Sequence, residues 1–162
     1  MSWAIEVGHV IVGTLFCIVL GMAAFNDIMR RRIPNWTVLA IGALFIGWFL
    51  TQPSVAVVAS MEAALIVFLV SCAFYALGIL GAGDSKLMTV VALFVGLSRL
   101  PQFALATGLV GGLMAIISLA TEPTRALVLM QTHGKGDIGR GIPYGVAIAL
   151  GGAFTVFYPF AS

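Results

Sequence analysis

Long apolar stretches fill most of the chain, and short clusters of charged residues, proline and glycine separate them. A helix that crosses a bilayer needs about 20 mainly apolar residues. On this scale the pattern predicts about six spanning helices, near residues 4–25, 36–51, 56–80, 85–98, 102–120 and 142–160. The pattern therefore predicts an all-α, polytopic membrane protein that folds as a single membrane-embedded domain over residues 1–162.

The composition supports a lipid environment. Of the 162 residues, 61% are hydrophobic and only 9% are charged, and the mean hydropathy is +1.13, whereas soluble domains carry about 25% charged residues. There is too little polar surface to cover a water-exposed core. The eight basic residues are also too few and too scattered to follow a phosphate backbone, so nucleic-acid binding is not expected.

The basic residues indicate the orientation, because Lys and Arg in short loops are retained on the cytoplasmic side. With an even number of spans and the N-terminus outside, only Arg99 falls outside. Seven basic residues then fall inside: Arg30, Arg31, Arg32, Lys86, Arg125, Lys135 and Arg140. The opposite orientation would reverse this ratio, so the N-terminus is predicted to lie outside.

Metal and cofactor sites are not indicated. Cys17 and Cys72 form no CxxC pair, and His9 and His133 have no partner motif, so no metal site is predicted. The run 134–139, GKGDIG, satisfies G-x-G-x-x-G but lies in no strand-turn-helix unit, so no dinucleotide cofactor is expected.

Two aspartates are the candidate chemical groups. Asp27 closes the first span just before the arginine cluster, and Asp84 follows the third span, so both are predicted at the cytoplasmic ends of helices. Carboxylates at membrane depth are costly and mark functional sites. Two carboxylates that converge share a proton, so that one acts as general base and the other as general acid on a water. Which of them starts protonated is not readable from the sequence.

Glycines surround Asp84 in the run Gly81-Ala82-Gly83-Asp84. Glycine permits positive φ and lets a substrate backbone approach closely. The pattern recurs at Gly134-Lys135-Gly136-Asp137, but this copy lies in a long polar loop where an aspartate has water around it. Asp137 is therefore predicted to be a chance match.

These motifs together resemble the prepilin peptidases, which are GxGD-type membrane aspartic peptidases. The family pattern of an aspartate, basic residues and Ile-Pro-Asn is similar to residues 27–35, DIMRRRIPN. Its GxGDxK-Leu motif is similar to residues 81–87, GAGDSKL, and its late Pro-Tyr-Gly is similar to Pro143-Tyr144-Gly145. The resemblance implies catalytic roles for Asp27 and Asp84.

The same resemblance implies site-shaping roles for Gly81, Gly83 and Lys86. It implies no metal and no cofactor, an inner-membrane location with the active site facing the cytoplasm, and a prepilin substrate whose basic leader precedes an apolar helix. Long members carry a zinc-binding insert with CxxC pairs after the first span, associated with methyltransferase activity. Only a short Arg-rich turn stands at that place here, so peptidase activity without methyltransferase activity is expected.

The size resembles the short peptidases of tight-adherence (Flp) pilus systems. A preflagellin peptidase or another GxGD intramembrane peptidase remains an alternative, as does a small transporter or an assembly subunit without catalysis. A transporter site usually lies near the bilayer midplane within broken helices or repeats, whereas Asp27 and Asp84 are predicted at one face. The pilin that is cut and the oligomeric state stay open.

Overall fold

The computed structural model describes residues 2–49, 54–121 and 143–158. Within these ranges the chain forms helices and no strand, so the all-α prediction is confirmed for them. In chain order the helices are α1 (Ser2–Arg30), α2 (Asn35–Phe49), α3 (Ser54–Ala76), α4 (Ala82–Thr121) and α5 (Tyr144–Phe157).

Among the described residues, three helical stretches are long and apolar enough to cross a membrane: Val10–Arg30, Ala56–Ala76 and Ala82–Ser118. Helices α2 and α5 are apolar but shorter. Each of the five helices also exposes large apolar side chains, among them Val10, Leu39, Leu69, Leu109 and Phe154. Apolar exposure on all helices is costly in water and is expected for surfaces that face lipid.

Helix α4 consists of two arms that meet at Gly96. This residue has φ 71° and ψ 168°, a region that only glycine occupies without strain. The first arm, before Gly96, and the second arm, after it, correspond to the separate helices predicted near 85–98 and 102–120. Pro101, which was predicted to lie in the break, lies inside the second arm.

The two arms run in opposite directions along α5. In the first arm Val91 contacts Gly152, which lies more than two helical turns after the start of α5. In the second arm Gly111 contacts Tyr144 and Thr107 contacts Gly151. A Cβ at Gly151 would stand 2.9 Å from the Thr107 backbone nitrogen, so the absence of a side chain there permits close helix packing.

The main core lies between α1, α2, α4 and α5. Its fully buried members include Phe16 from α1, Ile41 from α2, Leu87 and Val91 from α4, and Ile148 from α5. Helix α3 stands outside this core. It packs chiefly against α4, through a small cluster of Ala63, Val67 and Ala92.

Two tight turns bring the motif residues to one end of the bundle. Helix α1 ends with Arg31 in the left-handed conformation, φ 52°, and the Arg31 N–H donates to the Asp27 carbonyl oxygen at 2.9 Å. This is the helix-ending αL arrangement that glycine usually occupies. Helix α3 ends similarly at Gly78, φ 73°, just before α4 begins.

Candidate active site

Asp27 lies three residues before the end of α1 and is 6% exposed. Its Oδ2 accepts a hydrogen bond of 2.8 Å from the backbone N–H of Gly145. Gly145 is the second residue of α5, whose N-cap, Pro143, makes no side-chain hydrogen bond. Asp27 therefore supplies from another helix the acceptor that the first turn of α5 lacks.

The absence of a side chain at Gly145 is required for this contact. A Cβ there would stand 2.8 Å from Asp27 Oδ2 and 3.0 Å from Asp27 Cβ. The carboxylate also lies at the positive end of the α5 dipole, which stabilises negative charge. Sequence reasoning recognised the Pro-Tyr-Gly run but did not include Gly145 among the site residues.

Asp84 is the third residue of α4, so it belongs to the first turn of a helix and not to a loop. It is half-buried, and its carboxylate accepts a hydrogen bond from the Gly81 backbone N–H. The Gly81 carbonyl oxygen in turn accepts the Ser85 N–H at 3.0 Å. A carboxylate that binds the backbone N–H three residues earlier is one half of a capping box.

The two carboxylates lie at the same end of the bundle although they are far apart in the sequence. The Asp84 carboxyl group lies within range of the negative charge of Asp27, and Asp27 lies within range of the Arg31 guanidinium. Each carboxylate is held by a backbone N–H at a helix N-terminus. The two carboxylates therefore lie at one end of the bundle, and their catalytic roles stay a prediction.

Gly81 and Gly83 lie in this site for a different reason from the one predicted. Neither has a positive φ; the described glycines that do are Gly78 and Gly96. A Cβ at Gly81 would stand 2.9 Å from Asp84 Oδ2, and a Cβ at Gly83 would stand 3.3 Å from Ile33 Cβ. Gly81 makes room for the Asp84 carboxylate, and Gly83 lets the turn between α1 and α2 approach α4.

Lys86 joins the same two elements from the exposed side. Its Nζ donates to Asn35 Oδ1 at 3.4 Å, and Asn35 is the first residue of α2. Deeper in, the buried Ser85 hydroxyl donates to the Ser71 carbonyl oxygen of α3 at 3.3 Å. The first turn of α4 is thus fixed to both α2 and α3, which holds Asp84 in place.

Among the described residues no group of three or more His, Cys, Asp or Glu side chains could hold a metal ion. Asp137 and the second Gly-x-Gly-Asp run lie outside the described residues. Two carboxylates at one end of a bundle can transfer protons to and from a bound water.

The fold and the site define a helical protein with exposed apolar surfaces and two carboxylates at one end of its bundle. A family model described as the type IV leader peptidase family matches residues 14–116. This range covers well over half of the chain, and the chain therefore belongs to that family. The predicted family membership is confirmed, and with it a peptidase in the membrane that acts on a protein substrate.

The matched range contains Asp27, Asp84 and the turn between α1 and α2, and it ends before Gly145. No curated protein and no solved structure matches the chain. The contact between Asp27 and Gly145 is accordingly an observation of this structure alone.

Proposed function

We propose that the protein is an aspartic endopeptidase that removes the leader peptide of type IV prepilins of the Flp type. One observation carries the proposal: Asp27 and Asp84, from distant parts of the chain, lie at one end of the bundle, each bound by a backbone N–H and within range of the other's charge. Carboxylates that interact in this way divide the acid and base roles of peptide hydrolysis between them.

The reaction follows from this pair. One aspartate, ionised, takes a proton from a water, and the water oxygen attacks the carbonyl carbon of the scissile peptide bond. The other aspartate, protonated, then donates its proton to the leaving nitrogen as the carbon–nitrogen bond breaks. The backbone N–H groups of Gly145 and Gly81 hold the two carboxylates in place throughout.

The membrane arrangement is proposed to contain six spans with the N-terminus outside and the aspartates at the cytoplasmic side. The distribution of charge supports this arrangement. Arg30, Arg31, Arg32 and Lys86 surround the aspartate end, whereas Arg99 shares a cavity with Trp48 and Phe157 at the opposite end. Basic residues mark the cytoplasmic side, which is where a basic leader would be cut.

The absence of methyltransferase activity is part of the proposal, as is a single domain. Helix α1 ends at Arg30 and α2 begins at Asn35, so the described connection leaves no room for a zinc-binding insert between them. Peptide hydrolysis by the two carboxylates requires no metal or cofactor.

The test is prepilin processing in membranes that contain wild type, Asp27→Asn, Asp84→Asn or Asp137→Ala at matched expression. Asparagine retains an oxygen that can accept the backbone hydrogen bond but cannot exchange the proton. We expect a loss of processing of at least about 1,000-fold in the first two variants, in keeping with removal of an acid–base group. Asp137→Ala should process like wild type.

Activity in both Asn variants would exclude the two-carboxylate mechanism. The alternatives are separated by the precursor that is cut: a panel of an Flp-type prepilin, a preflagellin and a protein that is normally cut inside its own span. Processing of the prepilin alone supports the proposal. Cleavage within a span, or no cleavage of any precursor, would favour another GxGD peptidase or a non-catalytic role respectively.

A further inference from the structure

An apolar groove of about 400 Å³ separates α3 from the second arm of α4. Residues at helical spacing on each wall line it: Ile66, Val70 and Phe74 on α3, and Leu100, Ala104 and Gly108 on α4. No charged side chain is among the lining residues. Ile66, Val70 and Phe74 are each more than two-fifths exposed, so the rest of the protein does not cover the apolar surface of the α3 wall.

One end of the groove adjoins the two aspartates. Leu80, which lines it, directly precedes the glycine whose N–H binds Asp84. Tyr144, which also lines it, directly precedes the glycine whose N–H binds Asp27. One end of the groove therefore lies next to Gly81 and Gly145, the two glycines that bind the carboxylates. From there the groove extends away from the arginine cluster toward the opposite end of the bundle.

The dimensions decide what the groove can hold. From Leu100 to Gly108 it extends about 12 Å at 1.5 Å per residue, two helical turns. Ile66, Val70 and Phe74 present one apolar row along this length. A row of this spacing matches one face of a bound helix, with side chains at positions i, i+3 or i+4, and i+7.

We propose that this groove binds the apolar helix of the substrate, receiving one face of its first two turns beyond the cut. This inference rests on the proposed function, because the cut fixes where the bound helix begins. The uncharged lining excludes a basic leader from the groove, so the leader stays on the side of the arginine cluster and the apolar segment enters between α3 and α4. The groove then determines which precursors are cut, through the spacing of three apolar side chains.

Gly108 and Gly112 provide a matched pair for the test. Both lie on the second arm, and a Cβ at either position meets nothing within 4 Å, but only Gly108 lines the groove. Leucine at Gly108 would place an apolar side chain at the wall of the groove, where its Cβ meets no atom within 4 Å. We expect Gly108→Leu to lower kcat/KM for the full-length precursor about 10-fold or more, the effect of losing one buried apolar anchor. Gly112→Leu should match wild type.

A double-mutant cycle assigns the loss to the substrate helix. Precursors in which the apolar side chains of the first two turns beyond the cut are replaced by alanine should be cut about 10-fold more slowly by wild type. They should lose little more with Gly108→Leu, because both changes remove the same contact. Additive losses, equal loss in Gly112→Leu, or no loss in Gly108→Leu would each overturn the proposal; the last is expected if a lipid chain occupies the groove.

Cross-linking gives a readout that does not depend on cleavage. A photoreactive residue at Val70, which lines the groove, or at its neighbour Leu69, which does not, is introduced into an Asp84→Asn background that retains the precursor. Val70 should cross-link to the first two turns beyond the cut, and Leu69 to lipid. Precursor contacts at Val70 with no cleavage by wild type would refute the proposed peptidase while retaining the groove; cleavage with no contact at Val70 would refute the groove alone.

Discussion

At the residue scale, Gly145 sets the distance between the last helix and Asp27. A methyl group there would stand 2.8 Å from the Asp27 carboxylate oxygen, and Asp27 is buried, so it cannot move aside without displacing its neighbours. We expect Gly145→Ala to shift the carboxylate and lower prepilin processing about 100-fold, the loss that follows a misplacement of about 1 Å. Pulse-labelled processing in membranes measures this.

Gly42→Ala is the control for the loss of a glycine. Gly42 lies in α2, and a Cβ there meets no atom within 4 Å. Processing should remain at the wild-type rate, and the helix should gain up to about 1 kcal/mol from the better helix former. A Gly145→Ala protein that processed at the wild-type rate would show that the carboxylate does not depend on this contact.

The sequence was sufficient to single out Asp27 and Asp84 as candidates, because carboxylates at helix ends in an apolar chain are costly. It was not sufficient for Gly145 or Ile33. Gly145 matters through a hydrogen bond to a residue 118 positions away, and Ile33 through its contact with Gly83. Both contacts depend on how helices pack, which residue type and spacing do not specify.

At the scale of the element, the end of α1 carries local strain at Arg31. Its φ of 52° costs a residue with a side chain about 1–2 kcal/mol, whereas asparagine tolerates this conformation. We expect Arg31→Asn to raise the free energy of unfolding by about 1 kcal/mol, measured by unfolding in mixed micelles. Processing should fall several-fold, because the positive charge that acts on Asp27 is removed.

Arg32→Asn is the matched variant, since Arg32 is exposed and has no positive φ. It removes the same charge from the same cluster but should not increase stability. If both variants changed stability equally, the strain at Arg31 would not be the cause. If neither lowered processing, the charge beside Asp27 would have no part in the reaction.

The reversal within α4 depends on Gly96. With φ 71° and ψ 168°, it occupies a region that costs other residues about 1–3 kcal/mol. We expect Gly96→Ala to lower the free energy of unfolding by about that amount, measured in the same micelles. Gly47→Ala, in α2 with open space at its Cβ, should be neutral or slightly stabilising; equal losses in the two variants would contradict a special role for Gly96.

The break in α4 also shows where sequence patterns fail. The sequence pattern predicts a helix boundary at residues 99–101, but Pro101 lies inside the second arm and the chain turns at Gly96. A proline near the start of a helix removes little hydrogen bonding, because the first N–H groups of a helix have no intrahelical acceptor. A glycine inside an apolar run does not predict the end of a helix, since glycine is common in membrane helices.

At the scale of the whole molecule, four of the described helices share one core, and α3 packs outside it, mainly on α4. Phe16, Ile41, Leu87 and Ile148 tie α1, α2, α4 and α5 into one core, whereas α3 contacts chiefly α4. The aspartates lie on helices of this core, and the apolar groove lies along α3. Because the Ser85 hydroxyl donates to the Ser71 carbonyl oxygen of α3, an outward movement of α3 would also disturb the first turn of α4, where Asp84 lies.

The orientation of the molecule in the membrane gives the last prediction. Arg32 lies at the aspartate end and Ser98 at the opposite end, and both are exposed. In a background with Cys17→Ser and Cys72→Ser, an impermeant maleimide should label Ser98→Cys from outside the membrane, and Arg32→Cys only in inside-out vesicles. Leu39→Cys, 72% exposed in the protein but facing lipid, should react from neither side. If Arg32→Cys were labelled from outside, the aspartates would lie on the outer side of the membrane, where a basic cytoplasmic leader does not reach them. Most of the basic residues would then also lie outside, against the positive-inside rule. Reaction of Leu39→Cys in water would instead show that this face of α2 does not contact lipid, and that the exposed apolar surface has another partner.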